Sequence, residues 1–301
     1  MKTIDCFHKK ILRGILKFTS VSPVAPLYFL LGELPLEAVF HQDIFSLFWN
    51  IWANPHTKVH TIAKYLLMMS DSSSLTWTAH LRILFQTYSL PDPLTLLSGQ
   101  LMSKQTWKIV TRTAVTTYHE KKWRAKARTN SKLKFLNVEV TGLSCRPHPI
   151  LSGILTTQDT MRSRVHLKML AGDYPCYAYI GKDRDQDQGC PLCQRLYPTH
   201  PSPLDDLVHL LSRCRATADT RQQYLPVLLN TISMYCPNNP ILTQLHHSHV
   251  QLTQLILDPT SLNLPLAMRI SPDHPALCPV LAVCRTLCHA VHKERTRQLR
   301  K

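Results

Sequence analysis

Apolar residues recur along this chain mostly at three- and four-residue intervals, the spacing that lines one face of a helix. Between Pro35 and Pro55, Leu36, Val39, Phe40, Ile44, Leu47, Phe48 and Ile51 predict a core helix that buries this stripe. Ser72, Ser73 and Ser74 offer N-caps for a segment running to about Tyr88, and Pro91-Asp92-Pro93 then breaks the chain. From about Lys104 to Arg128 an amphipathic segment sets Trp107, Val110, Ala114 and Tyr118 on one side. Leu133 to Val140 is compatible with a short strand, although its Leu, Asn and Glu content fits other states. Gln158 to Ala171 predicts a helix that Gly172 stops at the C′ position.

After Ile180 the pattern changes. Gly181 to Pro203 is polar and rich in Asp, Gln, Pro and Cys, a loop that needs something other than a core to order it. Beyond Cys214 helical spacing resumes in three segments: about Ala218 to Tyr235 with Pro226 inside, Ile241 to Leu257, and Leu277 to Leu299 with Pro279 in its first turn. The expected fold is mostly α, in three parts: a helical region over 1–180, a loop-helix module over 181–216 and a C-terminal helical region over 217–301. No internal repeat or low-complexity tract is visible.

With 301 residues, 44% of them hydrophobic, the chain can bury the core of one large or two ordinary domains. Its 35 Lys and Arg stand against 19 Asp and Glu, a formal net charge of +16, while charged residues make up only 18%. The surplus therefore comes from scarce acids as much as abundant bases. Such a surface favours nucleic acid, an anionic membrane surface or an acidic protein as partner. The longest strongly apolar stretch, Leu27 to Leu31, is far short of the roughly 20 residues that cross a bilayer. The N-terminal residues lack the apolar core of a secretory signal. An intracellular protein, nuclear or cytoplasmic, with reduced cysteines is expected, and close cysteine pairs then suggest metal ligation rather than disulfides.

The sharpest local signal is Cys190-Pro191-Leu192-Cys193, followed by His209 and Cys214. Two cysteines two residues apart can share a tight turn, and three thiolates with one imidazole suit tetrahedral Zn²⁺. All four positions would be filled, so the expected zinc is single and structural, and hydrolytic chemistry at it is disfavoured. Asp205 to Arg213 predicts a short helix with Asp205 and Asp206 in its first turn. Cys214, five residues after His209, lies about 140° from it around an ideal helix, so the helix is expected to unwind there. His200 is a rival third ligand, disfavoured by its stiff setting between Thr199 and Pro201. Cys278, Cys284, Cys288, His289 and His292 form a second cluster, but Leu277, Leu281, Cys284, Cys288 and Val291 share an apolar helix face where cysteine acts as a small hydrophobe. His246, His247 and His249 are read as a partly exposed helix turn.

Residues 1–100 hold eight bases and six acids, whereas Leu101 to Phe135 holds ten bases and one acid, Glu120. The ten are Lys104, Lys108, Arg112, Lys121, Lys122, Arg124, Lys126, Arg128, Lys132 and Lys134. On a helix the first three line one stripe, and Lys121, Arg124 and Arg128 another. Cations so placed displace counterions from a phosphate backbone, and Trp123 among them is a candidate for stacking on an unpaired base. Arg162, Arg164, His166, Lys168 and the tail from Lys293 are weaker patches. The one Asp-Asp pair, Asp205-Asp206, lies inside the zinc module, and no nucleophile elbow, phosphate-binding glycine loop or His-Glu-x-x-His motif is present, so no catalysis is expected.

The order of these features resembles the region downstream of the reverse transcriptase palm in non-LTR (LINE-like) retrotransposons. The likeness is carried by Leu30-Leu31-Gly32-Glu33-Leu34-Pro35-Leu36-Glu37 with the helix containing His41 and Phe48-Trp49-Asn50-Ile51-Trp52, by Thr156-Thr157-Gln158-Asp159-Thr160 through Gly172-Asp173-Tyr174-Pro175, and by the Cys-Cys-His-Cys module with Leu192, Asp205-Asp206 and His209-Leu210-Leu211. It spans most of about Leu12 to Arg215. It implies a post-thumb helical region, a zinc module and a C-terminal helical region that together grip RNA and DNA. The family's palm aspartates and endonuclease have no counterpart here, so the resemblance implies a fragment without polymerase activity, with a palm domain absent from this chain as its partner.

Overall fold

A computed structural model describes residues 2–70, 76–143, 146–176, 188–235, 248–261 and 264–300. Among these residues the fold is mostly α, and the only β feature is an isolated bridge between Gly189 and Leu204. The α-helices are α1 (Lys2–Leu16), α2 (Ala25–Leu31), α3 (Leu36–Trp52), α4 (Lys58–Met69), α5 (Trp77–Thr87), α6 (Pro93–Ser98), α7 (Lys104–Arg128), α8 (Thr157–Leu170), α9 (Pro191–Leu196), α10 (Ala218–Tyr235), α11 (His249–Leu257) and α12 (Leu277–Arg300). They belong to two compact units, one of residues up to 8 with 33–125, the other of 9–32 with 126 onward.

The first unit is built on aromatic packing. Helix α3 buries Ala38, His41, Phe45, Phe48 and Trp52. Of the expected stripe, Phe48 is buried and Leu36, Ile44 and Ile51 are partly buried, while Val39, Phe40 and Leu47 remain 36% to 51% exposed. Apolar residues nearly encircle this helix, so periodicity offers two stripes, and the larger rings decide between them by the area they remove from water. Phe45, Phe48 and Phe85 surround Trp107 with ring centroids 5.9 to 6.4 Å away, and the Trp107 indole donates to the Phe45 carbonyl at 2.8 Å.

Helix α7 differs from expectation in the same way. Its buried positions in this unit are Trp107, Thr111, Val115 and His119, spaced by four, while Val110 and Tyr118 are 36% and 37% exposed. Two of these positions are polar, which is why the hydrophobic pattern missed them. Thr111 satisfies its hydroxyl on the Trp107 carbonyl, and His119 pairs with the Tyr88 hydroxyl at 3.1 Å, which also meets His41. Burial, aided by Lys122, pushes the His119 imidazole down to about 4. Helix α5 is capped by Thr76, which accepts from the Ala79 amide; the three serines expected there lie outside the described residues. Asp92 caps α6, with Pro93 in its first turn.

In the second unit, α12 packs along α8 and α10 and buries Leu277, Leu281, Cys284, Cys288 and Val291, the expected face. Thr156 and Asp159 close a capping box at the start of α8. The helix ends where expected, and Gly172 has φ +67°, with Lys132 so close that a Cβ would lie 2.6 Å from the lysine Cβ. Helix α10 runs from Ala218 to Tyr235 with Pro226 inside. Only His249–Leu257 of the segment expected from Ile241 is described.

Leu133 to Val140 forms no strand. A 3₁₀ turn, Ser131–Leu133, leads into an irregular run in which Phe135, Leu136, Asn137 and Val138 are all buried, so the alternation of a half-buried strand is absent. Side chains satisfy its backbone instead. Gln254 donates to the Phe135 carbonyl at 2.8 Å, Asp258 accepts from the Asn137 amide at 3.0 Å, and His148 lies 3.2 Å from the Asn137 carbonyl.

Candidate metal centre

Cys190, Cys193, His209 and Cys214 converge in the second unit. Cys190 is the N-cap of α9, Pro191 takes the first helical position, and Cys193 follows one turn later, so both sulfurs project from one short helix start. A clip of backbone hydrogen bonds holds this knuckle: Cys190 N–H donates to the Pro203 carbonyl at 2.7 Å, and Asp205 N–H to the Gln188 carbonyl at 2.9 Å.

The His209–Cys214 half uses a backbone device that spacing alone does not foretell. His209–Arg213 is a π-helical turn, and the Cys214 amide donates to the His209 carbonyl at 2.6 Å, an i→i+5 bond. The wider turn brings residue 214 back over residue 209, removing most of the angular gap an α-helix would leave. Cys214 itself leaves the helix at φ −59°, ψ 121°. Asp206 accepts from the His209 amide at 2.7 Å, so it serves as a cap.

All four residues are buried, and their ligand atoms lie within 4.8 Å of one another. Cys193 Sγ is 3.3 Å from His209 Nε2 and 3.7 Å from Cys214 Sγ, and Cys190 Sγ is 3.9 Å from Cys214 Sγ. A disulfide needs about 2.05 Å, so these are separate thiols. The contact with Cys214 and burial push the Cys190 thiol up to about 12; burial raises Cys193, and the Cys190 contact lowers Cys214. Thiols ligate as thiolates, so a metal ion bound here would displace their protons. The group can hold one metal ion.

What secures the centre comes from far along the chain. Asp205, the other half of the acidic pair, is fully buried and forms a bidentate ion pair with Arg295 of α12, both N–O distances 2.7 Å. Leu299 packs against the cluster of Cys190, Leu192, Cys193 and Cys214, and Arg195 donates to the Gln298 carbonyl at 2.9 Å. Sequence reading counts Arg295 in the basic tail patch, but the structure buries it; it continues the stripe through Cys284, Cys288 and Val291, a phase that marks a charged residue as buried.

His200 stays outside the centre, exposed, with Nδ1 3.2 Å from the Thr199 hydroxyl. Among the described residues no second group of metal-ligating atoms converges; Cys284 and Cys288 are buried in the α12 face, and burial raises both thiols. His246 and His247 lie outside the described residues.

The basic segment is helical as expected up to Arg128. Lys104, Lys108 and Arg112 are exposed at four-residue intervals, Lys104 lying over the Trp49 ring at 5.3 Å. Lys121, Lys126 and Arg128 are also exposed, whereas Lys122, Trp123 and Arg124 are partly buried. Several cations are paired within the fold: Lys122 with Glu37, Arg124 with Glu120, Arg128 with Glu139, and Lys134 with Asp206. Lys132, partly buried, lies against Gly172. Comparison with protein-family models, curated proteins and solved structures finds no match for this chain, so the functional argument rests on its own residues.

Proposed function

We propose that this chain is a zinc-stabilised, helical nucleic-acid-binding protein without catalytic activity of its own, of the kind found downstream of the palm in non-LTR retrotransposon reverse transcriptases. The exposed stripe of Lys104, Lys108 and Arg112 on the 25-residue helix α7 carries the binding part of the reading. Zinc is the metal that best suits three sulfurs and one imidazole nitrogen. At about 2.3 Å per Zn–S bond, tetrahedral geometry separates sulfurs by about 3.8 Å, close to the spacings given above. Four protein ligands leave no coordination position open, so the ion's part is to order the stretch before Cys214 that burial alone cannot. The cations grip phosphates without reading sequence.

The test is the salt dependence of binding to labelled RNA and DNA. Affinity should fall steeply between about 50 and 200 mM salt, and the double variant Lys108→Glu/Lys121→Glu should flatten the duplex slope by about 2. Affinity independent of salt would refute the proposal. One observation favours a protein-interaction module instead: a groove of about 490 Å³ in the first unit, lined by Leu47, Ile51, Val59, Ile62, Leu66 and Trp77. A complex that survives nuclease treatment would support that second reading.

A further inference from the structure

Beside the metal ligands lies a pocket of about 320 Å³ lined by Tyr197, His200, Pro203, Arg213 and Arg215 and backed by Cys193. Among the described residues, no acidic side chain lines it. Its walls are set by the metal module. Tyr197 closes α9 by donating its amide to the Cys193 carbonyl at 2.9 Å, and the His200 amide returns to the Tyr197 carbonyl at 3.1 Å. The Arg215 guanidinium lies 4.8 Å from the centre of the Tyr197 ring, and the His200 ring meets that ring edge-on, at 6.3 Å and 78°. Arg213 and Arg215 flank Cys214 in sequence, so both cations start from the backbone of the same module. Both arginines are exposed, and Tyr197 is 38% exposed.

We propose that this pocket binds one unpaired nucleotide of a single-stranded nucleic acid, a reading that rests on the nucleic-acid function proposed above. Flat aryl and guanidinium faces accept any base by stacking, which requires the base to be out of a duplex. Two arginines, Arg213 and Arg215, supply the charge for the adjoining phosphate. The volume is at the lower end of small-ligand sites, the size range of a single nucleotide. The basic helix α7 grips backbone of any kind; this pocket adds a preference for single strands.

The experiment uses the full chain with its metal, metal content being measured for every variant. Fluorescein-labelled octamers of single-stranded RNA and DNA, and a duplex of the same length, are titrated by anisotropy. Tyr197→Ala should weaken single-strand binding by about 5- to 150-fold with the salt slope unchanged, and leave duplex binding as in the wild type. Tyr197→Phe should restore it. Arg213→Gln and Arg215→Gln should each reduce the single-strand slope by about 0.7. Metal-loaded Tyr197→Ala that binds the octamers like wild type overturns the pocket, and the α7 proposal still stands if Lys108→Glu/Lys121→Glu flattens the slope. Equal competition by a free mononucleotide or by polyglutamate would overturn it as a strand site. A wild-type chain that binds none of the three probes removes both proposals.

Discussion

Replacing Arg295 by Met should loosen the metal centre from a position ninety residues away in sequence. The guanidinium makes two 2.7 Å contacts with a carboxylate whose side chain is 0% exposed, and the arginine side chain is itself only 4% exposed. Removing the cation strands the Asp205 charge in a dry environment, which costs about 3 to 5 kcal/mol. An ordinary domain has about 5 to 15 kcal/mol to lose, so the effect should be plain in urea unfolding of the metal-loaded chain. Release of the metal to a chromogenic chelator provides a probe confined to this region. Removing both charges leaves no stranded ion, so Arg295→Met/Asp205→Leu should recover most of the loss. Recovery should stop about 1 kcal/mol short, because Arg295 also donates to the Pro175 carbonyl at 3.3 Å. A single variant as stable as wild type, or a double variant no better than the single, would refute the reasoning.

His119 and His166 are both buried and both pushed down from 6.5 to about 4, burial being the main cause. The unfolded chain then binds the extra protons first, so stability is complete above pH 6.5 and is lost as pH falls toward 4, by up to about 3 kcal/mol for each histidine; a pH series of urea midpoints checks this, and His119→Phe should flatten the dependence. His209→Cys should still bind one zinc per chain as a four-cysteine site, whereas Cys193→Ser should lower zinc content and destabilise the module, both read by metal analysis of purified protein. Gly172→Ala should lower the melting temperature by an amount equivalent to about 1 to 3 kcal/mol, because φ is +67° and the new Cβ would meet Lys132; Gly14→Ala, where nothing lies within 4 Å, should be neutral or stabilising.

The local pattern was enough to read the helical class, the span of α10, the Gly172 stop and the four residues of the metal centre. These follow from short-range physics: periodicity, proline and glycine geometry, and ligand spacing within one stretch of chain. Which face of α3 and α7 turns inward was not legible, since α3 is apolar almost all round and α7 buries Thr111 and His119. Their burial depends on partners elsewhere, Trp107 against the α3 and α5 rings and His119 on Tyr88. Leu133 to Val140 likewise gave up a strand because Gln254, Asp258 and His148 could satisfy its backbone from a distance. At the candidate metal centre, composition and spacing picked out the four residues that converge, but only the tertiary structure showed the π turn that closes the gap between His209 and Cys214 and the buried arginine that holds Asp205. Ligand chemistry is local and is written in residue type. Burial of a charge is a property of the whole fold, because its cost is met by whichever distant side chain the packing brings to it.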